Sequence, residues 1–285
     1  MKKLMFCGLM FTWLFQAIGA VSYTTPEGIY FQDFDSLPFS PQNTSLQNTV
    51  PWTDDSTSSA NQTSLLGWYL YHPTSTAEGG VNGHQRLRAG PGNSTTGAFY
   101  SFGETGNSER ALGALGANTL APEAPDDPDD ANLYIALRLH NDTGVTLDNF
   151  TLSYYAEQWH ASGRPTPETM LFGWSTTAIA VNDPSTAFND VPLLGWTAPV
   201  TLGAEGAVDG NANRFLVGPV TVSGINWLPD TDLWLRWSDR QIPSARDDGM
   251  AIDDLTFIAS VPEPSSLAFL LIGVGGLLCG HRRRA

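Results

Sequence analysis

The feature that most constrains this chain is an alternation of apolar and polar side chains with a period of two. It recurs in short runs separated by glycine, proline and asparagine. Leu133, Ile135, Leu137 and Leu139 share one face, with Tyr134, Ala136 and Arg138 opposite. Phe150, Leu152 and Tyr154 repeat the pattern, as do Met170, Phe172 and Trp174, while Leu233, Leu235 and Trp237 alternate with Trp234 and Arg236. Successive side chains of a strand point to opposite faces, so this is the period of a sheet with one buried face. Residues 28–34, 67–71, 98–102, 215–222 and 250–258 are further strand candidates, and turn sequences such as Asn141-Asp142-Thr143-Gly144 lie between them. No interior stretch shows the spacing of a long amphipathic helix. About ten strands of this kind fit two packed antiparallel sheets better than a parallel sheet, which would need crossover helices. The expected fold is all-β, an antiparallel β-sandwich of jelly-roll type.

Such a sandwich needs a large core, and the 9 Trp, 14 Phe and 8 Tyr can fill one. The 28 Gly and 19 Pro supply the turns. Residues 36–64, rich in Ser, Thr, Asn and Gln, read as a polar excursion anchored by Trp52, and the Pro- and Asp-rich 121–131 as an exposed loop. No second core and no clean internal repeat is legible.

Both ends differ from this body. Lys2 and Lys3 precede an apolar run over 4–18, and Ala17-Ile18-Gly19-Ala20 offers small residues for cleavage. That is the layout of a secretory signal peptide, residues 1–20. At the other end, Pro262-Glu263-Pro264 is followed by the apolar 265–280 and then Arg282, Arg283 and Arg284. As a helix the apolar part spans about 24 Å, slightly short of a bilayer's hydrocarbon core, a deficit that local thinning covers. The arginines would hold its end on the cytoplasmic side. The expected division is 1–20 signal peptide, 21–260 β-sandwich with polar loops, and 261–285 a terminal signal with one transmembrane helix.

The order Pro262-Glu263-Pro264, short helix, Arg282-Arg283-Arg284 resembles a PEP-CTERM sorting signal. The resemblance implies recognition by an exosortase, a membrane-embedded cysteine transpeptidase that cleaves near the Pro-Glu-Pro. It also implies a Gram-negative source that makes extracellular polysaccharide, and a final place in the cell envelope, on the surface or in the matrix. Asn141-Asp142-Thr143-Gly144, Tyr154-Tyr155-Ala156-Glu157-Gln158-Trp159, Asp209-Gly210-Asn211, Leu233-Trp234-Leu235-Arg236-Trp237 and Ala251-Ile252-Asp253-Asp254-Leu255 together are similar to a β-rich module of secreted bacterial proteins. That module stands alone before such tails or beside hydrolase domains. Ala251-Ile252-Asp253-Asp254 also resembles the last strand of MAM and carbohydrate-binding jelly rolls.

Charge and cysteine usage exclude several functions. The chain carries 14 Lys+Arg against 29 Asp+Glu. Without the two ends, which hold Lys2, Lys3, the three arginines and Glu263, 9 basic and 28 acidic residues remain. Such a surface repels phosphate backbones, so no nucleic-acid partner is expected. Cys7 and Cys279 lie one in each terminal segment, so the body has no disulfide and no thiolate zinc site.

Asp253 is the first candidate for chemistry. A regular strand would place it with Ala251, Leu255 and Phe257, and Asp254 with Ile252 and Ile258, so one carboxylate must point inward at high cost. Calcium is one partner for it, through several oxygen ligands. The jelly-roll resemblance implies a structural calcium beside the last strand, with Asp33 or Asp35 and Asp247 or Asp248 as co-ligands. Pairing with an arginine, Arg236 above all, or capping of a turn is the other reading. Glu157 and Trp159 form a second candidate, an exposed sugar-binding edge or half of a glycosidase carboxylate pair. The alternative makes Trp159 a core plug and pairs Glu157 with Arg236. His72, His84, His140, His160 and His281 show no ligand spacing, and neither a nucleophile elbow nor a phosphate loop appears. Asp126-Asp127-Pro128-Asp129-Asp130 lacks the Gly and terminal Glu of an EF-hand and reads as solvated.

The expectation is a non-catalytic binding or structural module associated with extracellular polysaccharide. The alternatives are a secreted glycan-active hydrolase with acids among Glu157, Asp239 and Asp253, and a ligand-free packing unit.

Overall fold

The computed structural model describes residues 19–40, 42–43, 65–72, 87–116, 132–201, 203–240 and 247–261. All but the last two residues of the expected signal peptide, the sorting residues Pro262, Glu263, Pro264, Arg282, Arg283 and Arg284, the terminal apolar segment, the loop 121–131 and most of 36–64 lie outside them. Among the described residues no helix is long and apolar enough to cross a membrane.

The described residues form fifteen strands in two sheets, with two short 3-10 turns at Ser185–Ala187 and Pro192–Leu194. The first sheet runs β1 (Val21–Tyr23), β7 (Asn132–Asn141), β14 (Asp232–Arg240), β9 (Thr169–Ser175), β10 (Asn189–Asp190). The short β11 (Trp196–Thr197) also joins β9, and β3 (Trp68–Tyr71) joins β7 beside β1. The second runs β12 (Gly206–Ala207), β8 (Leu147–Ala161), β15 (Gly249–Ser260), β6 (Ala111–Leu115), β5 (Ala98–Phe102), β4 (Leu87–Gly90). Here β13 (Phe215–Trp227) borders β8, and β2 (Ile29–Gln32) borders β15.

Pairing is antiparallel with two exceptions: β1 runs parallel to β7, and β4 parallel to β5. Both depart from the expected all-antiparallel sheets. In the first case the long chain between the two strands allows the return; in the second, residues 91–97 make it.

The inward residues of both sheets meet in one core. Leu133, Ile135, Leu137 and Leu139 of β7 and Leu233, Leu235 and Trp237 of β14 face Leu152, Tyr154 and Ala156 of β8. Trp237 sits among rings, with centroids 5.1 Å from Phe172, 5.7 Å from Tyr154 and 5.8 Å from Trp68. Each outer face carries a smaller apolar cluster. On the first sheet Tyr69, Tyr134 and Trp234 pack with Ala178, Val181 and Phe188, and on the second Trp159 packs with Tyr100, Phe102 and Ala251. Both faces of the central strands are therefore buried, and alternation survives there as a choice between two apolar layers.

Candidate functional site

Along one edge of β15 two partners follow each other. Strand β6 pairs with Gly249 to Ile252, and β2 takes over from Leu255. Asp253 and Asp254 occupy the gap, and the register of β15 on β8 shifts between Asp253 and Thr256. Asp254 adopts φ 47°, a left-handed conformation that Asp tolerates better than most residues. The bulge breaks the expected alternation. Ile252 and Leu255 both enter the main core, whereas Asp253 lies on the outer face with Ala251. Asp253 does not share the face of Leu255 and Phe257, as a regular strand would require.

Asp253 is buried there beside Glu157 of β8 and Glu109, which immediately precedes Arg110 and β6. One carboxylate oxygen from each of the three lies within 4.8 Å of the others. Glu109 Oε1, Glu157 Oε1 and Asp253 Oδ1 are buried and accept no hydrogen bond. The remaining oxygens are held. Trp159 Nε1 donates to Glu157 Oε2 at 2.9 Å, and Asn211 Nδ2 donates to Glu109 Oε2 at 2.6 Å. Gly210 lets this loop approach, because a Cβ on it would stand 2.3 Å from the indole of Trp159.

One guanidinium faces these acids. Arg214 lies with its Cζ 3.8 Å from the ring centroid of Tyr155 and pairs with Asp254. Its Nε is 3.8 Å from Glu157 Oε1 and its Nη1 is 4.0 Å from Asp253 Oδ2. The neighbouring Arg110 is turned away, donating to the backbone carbonyls of Glu109 and Glu104. Burial pushes the Glu157 carboxyl up to about 7, a rise the Trp159 hydrogen bond opposes and the Glu109 charge reinforces. Burial likewise pushes Asp253 up to about 9, helped by the charges of Glu157 and Asp254. The pocket thus gathers four carboxyl groups around one arginine.

Several sequence expectations change here. Glu157 and Trp159 are both fully buried, so they form no exposed sugar-binding edge. Trp159 stacks on Phe102 with centroids 6.1 Å apart, and a tryptophan in that position leaves no face for a ring from outside. Arg236 pairs with neither Asp253 nor Glu157. It belongs to the other sheet, between the rings of Tyr134 and Phe188, and donates to the carbonyls of Val181 and Asp183. Arg214 occupies the place expected for it. The calcium set implied by the jelly-roll resemblance does not assemble. Asp33 and Asp35 are exposed, and Asp35 Oδ1 accepts the Arg110 backbone N–H. Glu109 and Arg214 had no motif to announce them, and Asn211, although part of the Asp209-Gly210-Asn211 segment, had no site role expected of it.

Asp248 and Asp239 belong to a different group. Asp239 continues the inward row of Leu235 and Trp237 on β14, and Asp248 precedes β15. Asp248 Oδ1 accepts the Ser162 N–H at 2.7 Å, and Asp248 and Glu168 exchange backbone hydrogen bonds through their carboxylates. Arg164 Nη2 lies 3.7 Å from Glu168 and 3.9 Å from Asp247. Burial, with the charges of Asp239 and Asp247, pushes the Glu168 carboxyl well above the usual carboxylate range, and Asp239 is also raised, by burial first and then by Asp247 and Asp248. These acids tie the 162–168 loop to the start of β15.

A shallow cavity of about 220 Å³ opens elsewhere, beside β9 and β11, lined by Thr169, Leu171, Asp190, Trp196 and Thr197 among others. None of the acids above lines it.

The PEP-CTERM protein-sorting motif matches residues 260–285. No curated protein matches the chain. Among solved structures, the K3 cleaved adhesin domain of Lys-gingipain from Porphyromonas gingivalis is 15% identical, with 68% of this chain and 93% of that one covered at a TM-score of 0.34. A non-crystalline-cellulose-specific carbohydrate-binding module, CBM28, is 14% identical over 76% of this chain and 96% of that one, at a TM-score of 0.28. TmCBM61, solved with β-1,4-galactotriose, is 8% identical over 55% and 74%, at 0.25. Likenesses this distant carry no inference about what this chain binds.

Proposed function

We propose that this is an exported protein that an exosortase processes at its C-terminal motif and that then serves, without catalysis, as a binding or structural module in an extracellular polysaccharide layer. The observation that carries the proposal is the sorting motif at 260–285. It implies delivery across the membrane and handling by exosortase. The signal-peptide pattern over 1–20 and the arginine cluster after the apolar segment agree with that route. The polysaccharide association and a Gram-negative host come from the resemblance of the tail, and the jelly-roll character of the sandwich from that of the last strand.

The non-catalytic reading is supported by the burial of Glu157 and Asp253 against Trp159, Arg214 and each other. A glycosidase pair must flank a bound sugar with carboxyl groups about 5 Å or more apart. The test incubates the purified full-length protein with polysaccharides of the host matrix. Retention on the polysaccharide without release of reducing ends is expected. Hydrolysis that disappears in Glu157→Gln would replace the proposal with a glycan-active enzyme.

A further inference from the structure

We propose that Glu109, Glu157 and Asp253 form a calcium site on the outer face of the second sheet, in the gap that β15 leaves between β6 and β2. The inference goes beyond the proposed function and does not depend on it.

Three facts converge on a cation. One carboxylate oxygen from each of Glu109, Glu157 and Asp253 lies within 4.8 Å of the others, and each of these residues has one buried oxygen that accepts no hydrogen bond: Glu109 Oε1, Glu157 Oε1 and Asp253 Oδ1. Two of their owners are almost fully shielded, Glu157 at 0% and Asp253 at 2% exposure. A buried acceptor without a donor is costly, and three facing each other repel as well. The second fact is their fixation. Trp159 and Asn211 each donate to one oxygen, Glu157 Oε2 and Glu109 Oε2, which fixes these carboxylates and leaves Oε1 of each without a hydrogen bond. The third is charge. Among the described residues Arg214 is the one cation paired with this group, and it gives its close contact to Asp254 while standing 3.8 and 4.0 Å from Glu157 and Asp253. Fully ionised, Glu109, Glu157, Asp253 and Asp254 exceed it by three charges.

The donor set selects the ion. All three donors are carboxylate oxygens, with no histidine or cysteine among them, which disfavours zinc and copper. Calcium binds oxygens at about 2.4 Å, so ligands on opposite sides of one ion stand about 4.8 Å apart, and it accepts irregular geometry and water. Magnesium demands near-octahedral ligands about 2.1 Å away. Glu109 is only half-buried, so the site has a side from which an ion and its waters can enter. The set differs from the one expected along the sequence, which joined Asp253 to Asp33 or Asp35 and to Asp247 or Asp248.

The test uses the full-length protein in detergent after chelation. Terbium, a luminescent substitute for calcium, should be excited through tryptophan, because the indole of Trp159 is hydrogen-bonded to Glu157. Calcium should displace it at one ion per chain. At a calcium concentration a hundred times the dissociation constant, the folded-to-unfolded ratio should rise about a hundredfold. Glu109→Gln keeps the bond from Asn211 and sits at the open side. It should lose most of both signals and still fold, whereas Asp33→Asn should keep both. No sensitised terbium signal, an undiminished calcium response in Glu109→Gln, or loss of the response in Asp33→Asn would each overturn the site.

Discussion

Replacing Glu157 by Gln in the chelated protein should flatten the dependence of stability on pH. In the fold the Glu157 carboxyl titrates at about 7, against an ordinary value of 4.5. Between these values the folded chain holds a proton that the unfolded chain has lost. Stability from this group is therefore complete below the unfolded value and disappears as pH rises through the folded one. Each pKa unit corresponds to about 1.4 kcal/mol, so the full contribution is about 3 kcal/mol, most of which falls between pH 5 and pH 8. Glutamine cannot titrate, yet its carbonyl still accepts the Trp159 N–H. Chemical denaturation at the two pH values gives the difference directly. The parent should lose about 2–3 kcal/mol more than the variant on going from pH 5 to pH 8. Removing the Glu157 charge also lowers the carboxyl of Asp253, which acts in the same direction. Equal losses in the two proteins would refute the assignment of a buried, raised carboxyl at this position.

Trp237→Ala should cost about 3–5 kcal/mol, read as a fall in the denaturation midpoint at unchanged slope, because its ring is fully buried against Phe172, Tyr154 and Trp68. Gly210→Ala should cost about 1–3 kcal/mol and weaken calcium binding, since the new Cβ meets the Trp159 indole at 2.3 Å and displaces the loop that carries Asn211; unchanged melting and unchanged terbium luminescence would contradict that geometry. Arg236→Met should destabilise by leaving the Val181 and Asp183 carbonyls unpaired, yet leave the calcium response intact, because this arginine serves the other sheet.

The long central strands were legible because their alternation is strong. Residues 133–139, 233–237 and 250–258 fall inside β7, β14 and β15. The sequence 98–102 matches β5 from end to end. What escaped lacks that signal. Strand β6 reads Ala-Leu-Gly-Ala-Leu, with small side chains of weak strand preference, and both its faces are covered. The two-residue strands β10, β11 and β12 are too short to show a period.

At the site, Asp253 and Glu157 stood out as acids beside apolar neighbours, and the structure does bring them together. Their surroundings were not legible for two reasons. The left-handed residue at Asp254 shifts the facing of every side chain after it, and an Asp-Asp pair is only a weak sign of such a bulge. Glu109 and Arg214 reach the pocket through ladders between strands distant in sequence, β15 with β6 and β8 with β13. A single sequence does not state that register. Arg236, the arginine expected to pair with these acids, is placed by the alternation of β14 on the outer face of the opposite sheet.

Processing at the tail is tested most directly by the C-terminus of the mature protein. Protein extracted from the outside of its native host should be analysed by mass spectrometry of its C-terminal peptide, in the parent and in Glu263→Ala. The parent should end near Pro262-Glu263-Pro264 and lack 265–285, while Glu263→Ala should stay in the membrane fraction with Ala285 intact. A surface-extracted parent that still carries Arg282-Arg283-Arg284-Ala285, or a Glu263→Ala chain trimmed like the parent, would contradict processing at this motif.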